Sequence, residues 1–223
     1  MVAVNYPNNP SGATLSSAVR EKLGYLASGG ATLFTDATYG PLVYNDEPRS
    51  LLAEVLPSDD GPDVVELHSF SKLFPIGPLA VSFLAGSRWL VQSMATYSEY
   101  AWSPLSRLQL AATAECLTDE GRIQKFRDHV PGQLESLRLT LTEIGFRTFS
   151  ANSGTYLISE VPKSIGGTPI ASAQDAAKQL MESFDIAVVP LDTQNRSYLR
   201  FSALYRPHDL ERLAAIGPML RLG

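Results

Sequence analysis

The first half of the chain alternates short apolar runs with turn-rich or amphipathic segments. Val2-Ala3-Val4 reads as a buried strand, and it delivers Asn5-Tyr6-Pro7-Asn8-Asn9-Pro10-Ser11-Gly12, a loop dense in turn residues. Thr14 is placed to cap a helix that runs to about Ala27, and Gly29-Gly30 stops it. Ala31 to Gly40 reads as a second strand that ends in polar groups. The segment from Pro41 to Pro62 holds four prolines and several acids, so it is expected to be loop, with one helical turn at Leu51–Val55. Val64, Val65 and Leu67 form a third short strand, after which the chain turns through Ser69-Phe70-Ser71-Lys72. Leu79–Leu84 is expected as a fourth, closed by Ala85-Gly86.

The second half is more helical. Pro104 to Leu117 reads as a helix with Leu105, Leu108, Ala112 and Cys116 on one stripe. Ile123, Phe126, Val130, Leu134, Leu137, Leu141 and Ile144 recur at steps of three and four, the mark of a long amphipathic helix. Pro131-Gly132 falls inside it and predicts a kink or two abutting helices, because proline lacks a backbone donor and collides with the preceding turn. Strands are expected near Arg147–Ser150, Gly154–Ser159, Ile186–Val189 and Tyr198–Leu204. A helix is expected near Ile170–Phe184, with a closing helix opened by Pro207 and cut short by Gly217-Pro218. Strand–helix–strand spacing implies crossover connections and a largely parallel sheet. Two such blocks joined by long helices predict two lobes, residues 1–119 and 120–223.

Composition narrows the class. In 223 residues, 44% are hydrophobic and 18% charged, which fits an ordinary folded α/β protein. A net charge of -5 with no Lys/Arg run argues against a nucleic-acid surface. No apolar stretch approaches the roughly 20 residues of a membrane span, and the N-terminus lacks a basic, apolar leader, so a cytoplasmic location is expected. The single cysteine, Cys116, excludes an internal disulfide. His68, His129 and His208 show no ligand spacing, so no metal centre is expected.

In open parallel sheets, ligands sit beyond the carboxyl ends of the strands, a rule that gathers Asn9, Asp36, Tyr39 and Lys72 along one rim. A lysine at the end of a buried strand is expected to be poorly hydrated, and its neutral amine can attack an aldehyde. The other candidates carry two readings each. Asn8-Asn9-Pro10-Ser11-Gly12 is a turn, or a loop whose asparagine amide donates to a ligand oxygen. Asp36 caps a turn, or it keeps a pyridine nitrogen protonated, with Tyr39 donating nearby. Ser69 and Ser71 are small strand-end residues or phosphate donors. In Tyr198-Leu199-Arg200-Phe201-Ser202, period two puts Arg200 on the face opposite Leu199 and Phe201. There it serves an internal ion pair or grips a ligand carboxylate in a bidentate fork.

Together these residues resemble the class I/II aminotransferases of the fold-type I pyridoxal-phosphate-dependent superfamily. The resemblance is carried by Asn-Asn-Pro-Ser-Gly at 8–12, Asp36 with Tyr39, Ser-Phe-Ser-Lys at 69–72, and Arg200, and it runs from Val2 to about Arg221. It implies an α/β fold: an incomplete large domain with a mainly parallel sheet, plus a C-terminal α+β small domain. It implies pyridoxal 5'-phosphate held by Lys72 as a Schiff base, with Lys72 then moving the proton between the substrate α-carbon and the cofactor. Asp36 would pair with the ring nitrogen, Asn9 and Tyr39 with the ring oxygen, Ser69 and Ser71 with the phosphate, and Arg200 with the substrate α-carboxylate. Tyr156 and Asn152 are further residues placed to approach the ligand.

Two departures stand out. Eight residues after the lysine, where the family places a phosphate-gripping arginine, the chain has Ala80, and Ser82 replaces a glycine. Arg88 is the nearest cation in sequence. The family also carries a long segment ahead of the Asn-Asn-Pro loop that has no counterpart here. An uncovered sheet exposes backbone edges and apolar faces, so a homodimer partner or a second chain supplying that part is expected to cover them. The resemblance implies an aminotransferase acting on an amino acid and a 2-oxo acid within a split or oligomeric assembly. Elimination, cyclisation or oxidation of an amino acid on the same scaffold stays open, as does a non-catalytic aminotransferase-like subunit with a binding role.

Overall fold

The structure is a computed structural model and describes residues 1–52, 55, 61–74, 76–101 and 104–223. These residues divide into two compact units: residues 1–9, 13–127 and 152–154, and residues 10–12, 128–151 and 155–223.

The first unit is built on a four-stranded sheet. Strand β1 (Val2–Asn5) leads to helix α1 (Ser17–Ser28), then to β2 (Leu33–Asp36), β3 (Val64–Ser69) and β4 (Ser82–Gly86), in the spatial order β1-β2-β3-β4. The first three strands run parallel, and β4 returns antiparallel to β3. Leu23 and Ala27 of α1 are buried with Leu15, Leu33, Leu51 and Val64, and Val2, Val4 and Val19 pack against them. Period-two alternation therefore gives α1 the sheet face of Val2, Val4, Leu33 and Val64, and it puts Asn5, Asp36, Leu67 and Ser69 on the opposite face. Asn5, Asp36 and Leu67 are register partners, so they stand level at the carboxyl ends of the parallel strands.

Several local expectations are corrected. Ser16, not Thr14, caps α1, its Oγ accepting from Val19 N. Thr14 Oγ1 instead accepts from Asn45 Nδ2. The fourth strand begins at Ser82 rather than Leu79, because Gly77–Leu79 form a 3₁₀ turn that ends at Ala80 in the left-handed region, φ 49°. In the loop after β2, Val55 N donates to Leu51 O at 2.8 Å, the bond of a helical turn. Residues 53 and 54, also part of that expected turn, lie outside the described residues.

Helix α2 (Arg88–Ala101) lies outside the expected elements, although Leu90, Met94, Tyr97 and Ala101 recur at steps of four and three; none of its described side chains is buried. It is followed by α3 (Arg107–Thr118), opened by a capping box between Ser106 and Gln109. Trp89 is 53% exposed, Tyr100 87% and Leu108 74%, and Phe83 on β4 is also exposed.

Helix α4 (Glu120–Glu143) is one continuous helix with Pro131 inside it. Buried Val130, Leu134, Leu137 and Leu141 hold it together, outweighing the lost backbone bond, so two separate abutting helices do not form.

In the second unit, β5 (Tyr156–Glu160), β9 (Ser197–Ser202) and β8 (Val189–Asp192) form an antiparallel sheet in the order β5-β9-β8. A small hairpin, β6 (Ser164–Ile165) with β7 (Thr168–Pro169), and helix α5 (Ala173–Phe184) lie between β5 and β8 in the chain. Residues 147–150 make no strand; they contribute an isolated bridge between Thr148 and Ser159. The strand expected at Ile186–Val189 starts at Val189. Helix α6 (Pro207–Leu220) runs through Gly217-Pro218 instead of stopping there. Gly217 is required by close approach, because a Cβ there would lie 2.1 Å from Ile144 Cγ2.

Candidate active site

The residues singled out above fall into two groups, one in each unit. In the first unit, the loop after β1 is organised by Asn5, which the sequence reading treated only as a turn residue. Its Oδ1 accepts from Asn9 N at 2.9 Å and from Asn8 Nδ2 at 3.3 Å, while its Nδ2 donates to Asp36 O at 3.0 Å. One side chain thus fixes the Asn8-Asn9 loop to the end of β2, leaving the Asn9 side chain on an exposed residue. The missed signal was an asparagine at the last position of a strand, where its side chain can reach the next strand's end.

Asp36 closes β2. Its Oδ1 accepts from Thr38 N at 3.1 Å and from Thr38 Oγ1 at 2.6 Å, the turn-capping geometry anticipated for it. Among the described residues Oδ2 takes no hydrogen bond, so one carboxylate oxygen is oriented by the protein and the other is available. Tyr39 is buried, 4% exposed. Its ring is backed by Gly154, where a Cβ would stand 3.5 Å from Tyr39 Cδ1 and where φ is +74°. Gly154 is held in place by Tyr44, whose hydroxyl donates to Gly154 O at 2.9 Å and whose backbone N donates to Asn152 O at 2.9 Å. Burial raises the Tyr44 phenol well above its usual pKa against a smaller opposing pull from Arg127, so that hydroxyl stays a donor. Asn152 is exposed and takes part through its carbonyl.

Lys72 ends a 3₁₀ turn, Phe70–Lys72, at the end of β3. The turn is pinned by Phe70 N donating to Val81 O at 3.1 Å, and Ser69 Oγ accepts from Ser71 N at 3.2 Å. Lys72 Nζ lies 5.7 Å from the Tyr39 ring centroid, so the amine and the phenol come from different strand ends to one place. The expectation of a poorly hydrated lysine is corrected, since Lys72 is exposed. The turn carries the chain past the strand end before the lysine, which lifts the side chain out of the sheet layer.

Ala80, at the position of the family's arginine, is exposed and offers no charge; Arg88 is an exposed residue at the start of α2. The hydroxyls this stretch offers near the strand end are those of Ser69 and Ser71.

In the second unit, Arg200 lies on β9 opposite Ile158 of β5 and Val189 of β8. Leu199 and Phe201 are buried, at 0% and 5% exposure, as the alternation requires. The Arg200 guanidinium carbon lies 4.2 Å from the centroid of the Tyr156 ring, so the cation sits over the ring.

An amine beside a phenol, a carboxylate with one oriented oxygen, an amide loop and paired hydroxyls, all at the carboxyl ends of parallel strands, form a donor set that fits a pyridine aldehyde phosphate. Comparisons with known proteins converge on the same class. The aminotransferase class I and II family model matches residues 1–216, and the chain belongs to that family. The family's cofactor is pyridoxal 5'-phosphate. An LL-diaminopimelate aminotransferase of Methanocaldococcus jannaschii is 28% identical over 211 residues, covering 92% of this chain and 49% of that protein. An aspartate aminotransferase of Bacillus sp. (strain YM-2) is 22% identical over 192 residues, covering 85% and 49%. The apo structure of BacF from Bacillus subtilis shares the fold, with a TM-score of 0.83 at 23% identity over 99% of this chain and 59% of that one. The chain spans about half the length of the curated relatives it matches. The α/β fold matches solved aminotransferase structures over 55–59% of their chains. No helix among the described residues is long and apolar enough to cross a membrane.

Proposed function

We propose that the chain is the Lys72-bearing part of a pyridoxal-phosphate-dependent aminotransferase acting on an amino acid and a 2-oxo acid. The observation that carries this reading is the meeting of Lys72 Nζ with Tyr39 at the ends of parallel strands in a chain of this family. Bound pyridoxal phosphate supplies a protonated ring that draws electrons from the substrate's α-carbon and so acidifies its C–H bond. Lys72 Nζ holds the cofactor's aldehyde end and moves the proton to and from that carbon. Asp36, oriented through Oδ1 by Thr38, keeps the ring nitrogen protonated through Oδ2. Tyr39 and the Asn9 amide donate to the ring oxygen, and Ser69 and Ser71 donate to the phosphate. Arg200 takes the substrate α-carboxylate.

The enzyme works in the cytoplasm as part of a split or oligomeric assembly. Support for a partner comes from β1 and β4, which stand at the sheet's edges among the described residues, and from exposed Phe83, Trp89, Tyr100 and Leu108. Ala80 favours a second reading, a non-catalytic subunit of the same fold, because a charge-assisted phosphate contact worth about 1.5–3 kcal/mol is missing.

One experiment separates the two. Pyridoxal phosphate is added to the chain, alone and with the partner chain, and absorbance is followed from roughly 330 to 430 nm. A new band that bleaches with borohydride, leaving the cofactor's mass on the Lys72 peptide, is expected for the enzyme; a flat spectrum in both samples leaves only the binding subunit. Arg200→Ala is expected to raise the amino-acid KM by about 10²-fold while the cofactor band stays. Loss of the band would remove Arg200 from the substrate site.

A further inference from the structure

β3 carries a buried carboxylate that the proposed mechanism does not use. Glu66 is 0% exposed and sits three residues before Ser69. Its Oε2 accepts from Ser50 Oγ at 2.6 Å and faces His68 Nε2 at 3.1 Å, while Oε1 accepts from Leu51 N at 2.5 Å. Burial pushes the carboxyl up, but the donors from His68, Ser50 and Leu51 outweigh it and hold Glu66 below the usual range, so it is ionised. A buried charge with this many partners specifies the geometry around it, because each donor has a defined direction.

Two chains of contact leave Glu66. Through Ser50 and Leu51 it anchors the backbone that follows Arg49. The carbonyl of Arg49 is pressed on Gly40, where a Cβ would stand only 2.8 Å away, and Gly40 directly follows Tyr39. In the other direction, His68 stacks on Phe83 with centroids 4.9 Å apart, and Phe83 meets Phe70 at 5.5 Å. Phe70 opens the 3₁₀ turn that ends at Lys72. We propose that Glu66 is a positioning residue that ties the Tyr39 turn to the Lys72 turn, fixing phenol and amine relative to each other. Its importance for catalysis rests on the reading of those two residues given above.

Glu66→Gln keeps the shape and removes the charge, and it turns an amide donor toward groups that are themselves donors. Hydrogen–deuterium exchange of the full chain is then compared with the unsubstituted protein. Peptides over residues 38–44 and 70–74 are expected to exchange roughly tenfold faster, while α1 and β9 keep their rates. Acceleration shared by α1 would reduce Glu66 to a general stability role, and unchanged exchange over 38–44 would overturn the link. Should Glu66→Gln not fold, Ser50→Ala breaks one arm only and is expected to loosen 38–44 alone, with Ser50→Thr restoring it; no change at 38–44 overturns the link equally. Borohydride trapping at Lys72 is run in parallel. An unsubstituted chain that fails to trap the cofactor counts against the functional reading, whereas the exchange pattern decides the role of Glu66 independently.

Discussion

Lys72→Ala is expected to abolish borohydride trapping of pyridoxal phosphate on the chain and to lower amino-group exchange in the assembled enzyme by about 10⁴-fold. Lys72 Nζ is the amine that stands 5.7 Å from the Tyr39 ring centroid, so its loss removes the proposed attachment point. Lys72→Arg serves as control. It keeps the positive charge beside the ring but has no amine that is neutral near pH 7, so it is expected to fall as far. The measurement is initial rate with an amino acid and a 2-oxo acid, read together with the mass of the 70–74 peptide. Retained trapping in Lys72→Ala would move the cofactor's attachment elsewhere and remove the central assignment.

The largest effect on stability is expected at Gly86. This residue ends β4 opposite Val65, with φ +152°, and a Cβ there would stand 2.2 Å from Val64 O and 2.7 Å from Val65 Cα. Those atoms are backbone of the neighbouring strand, so no side-chain rotation relieves the overlap. Gly86→Ala must therefore part β4 from β3, the strand that leads to Lys72. A loss of about 3–5 kcal/mol is expected, read as a lower denaturant midpoint. A cost below about 1 kcal/mol would show that the strands separate easily.

The class of fold was readable because its markers are local: apolar runs, Gly and Pro punctuation, and four motifs in order. Strand positions in the first unit came through since Val2–Val4 and Val64–Leu67 are short apolar runs bounded by turns. What stayed hidden depended on tertiary context. Helix α2 carries Leu90, Met94, Tyr97 and Ala101 at helical spacing, a stripe the expected elements passed over, and none of its described side chains is buried. Pro131 and Gly217-Pro218 look like stops, yet packing of Val130, Leu134, Leu213 and Leu220 carries both helices through them. At the proposed site, Lys72, Asp36 and Tyr39 are picked out by motif, whereas Asn5 and Glu66 hydrogen-bond to partners 31 and 15 or 16 residues away. No spacing rule reaches that far.

The Arg200 cation lies over the Tyr156 ring, 4.2 Å from its centroid, and that contact restricts the rotamers open to a long, flexible side chain. On the proposed assignment of Arg200, the ring therefore holds the fork ready before any carboxylate arrives. Tyr156→Ala is expected to raise the amino-acid KM by about tenfold and to leave the cofactor band unchanged.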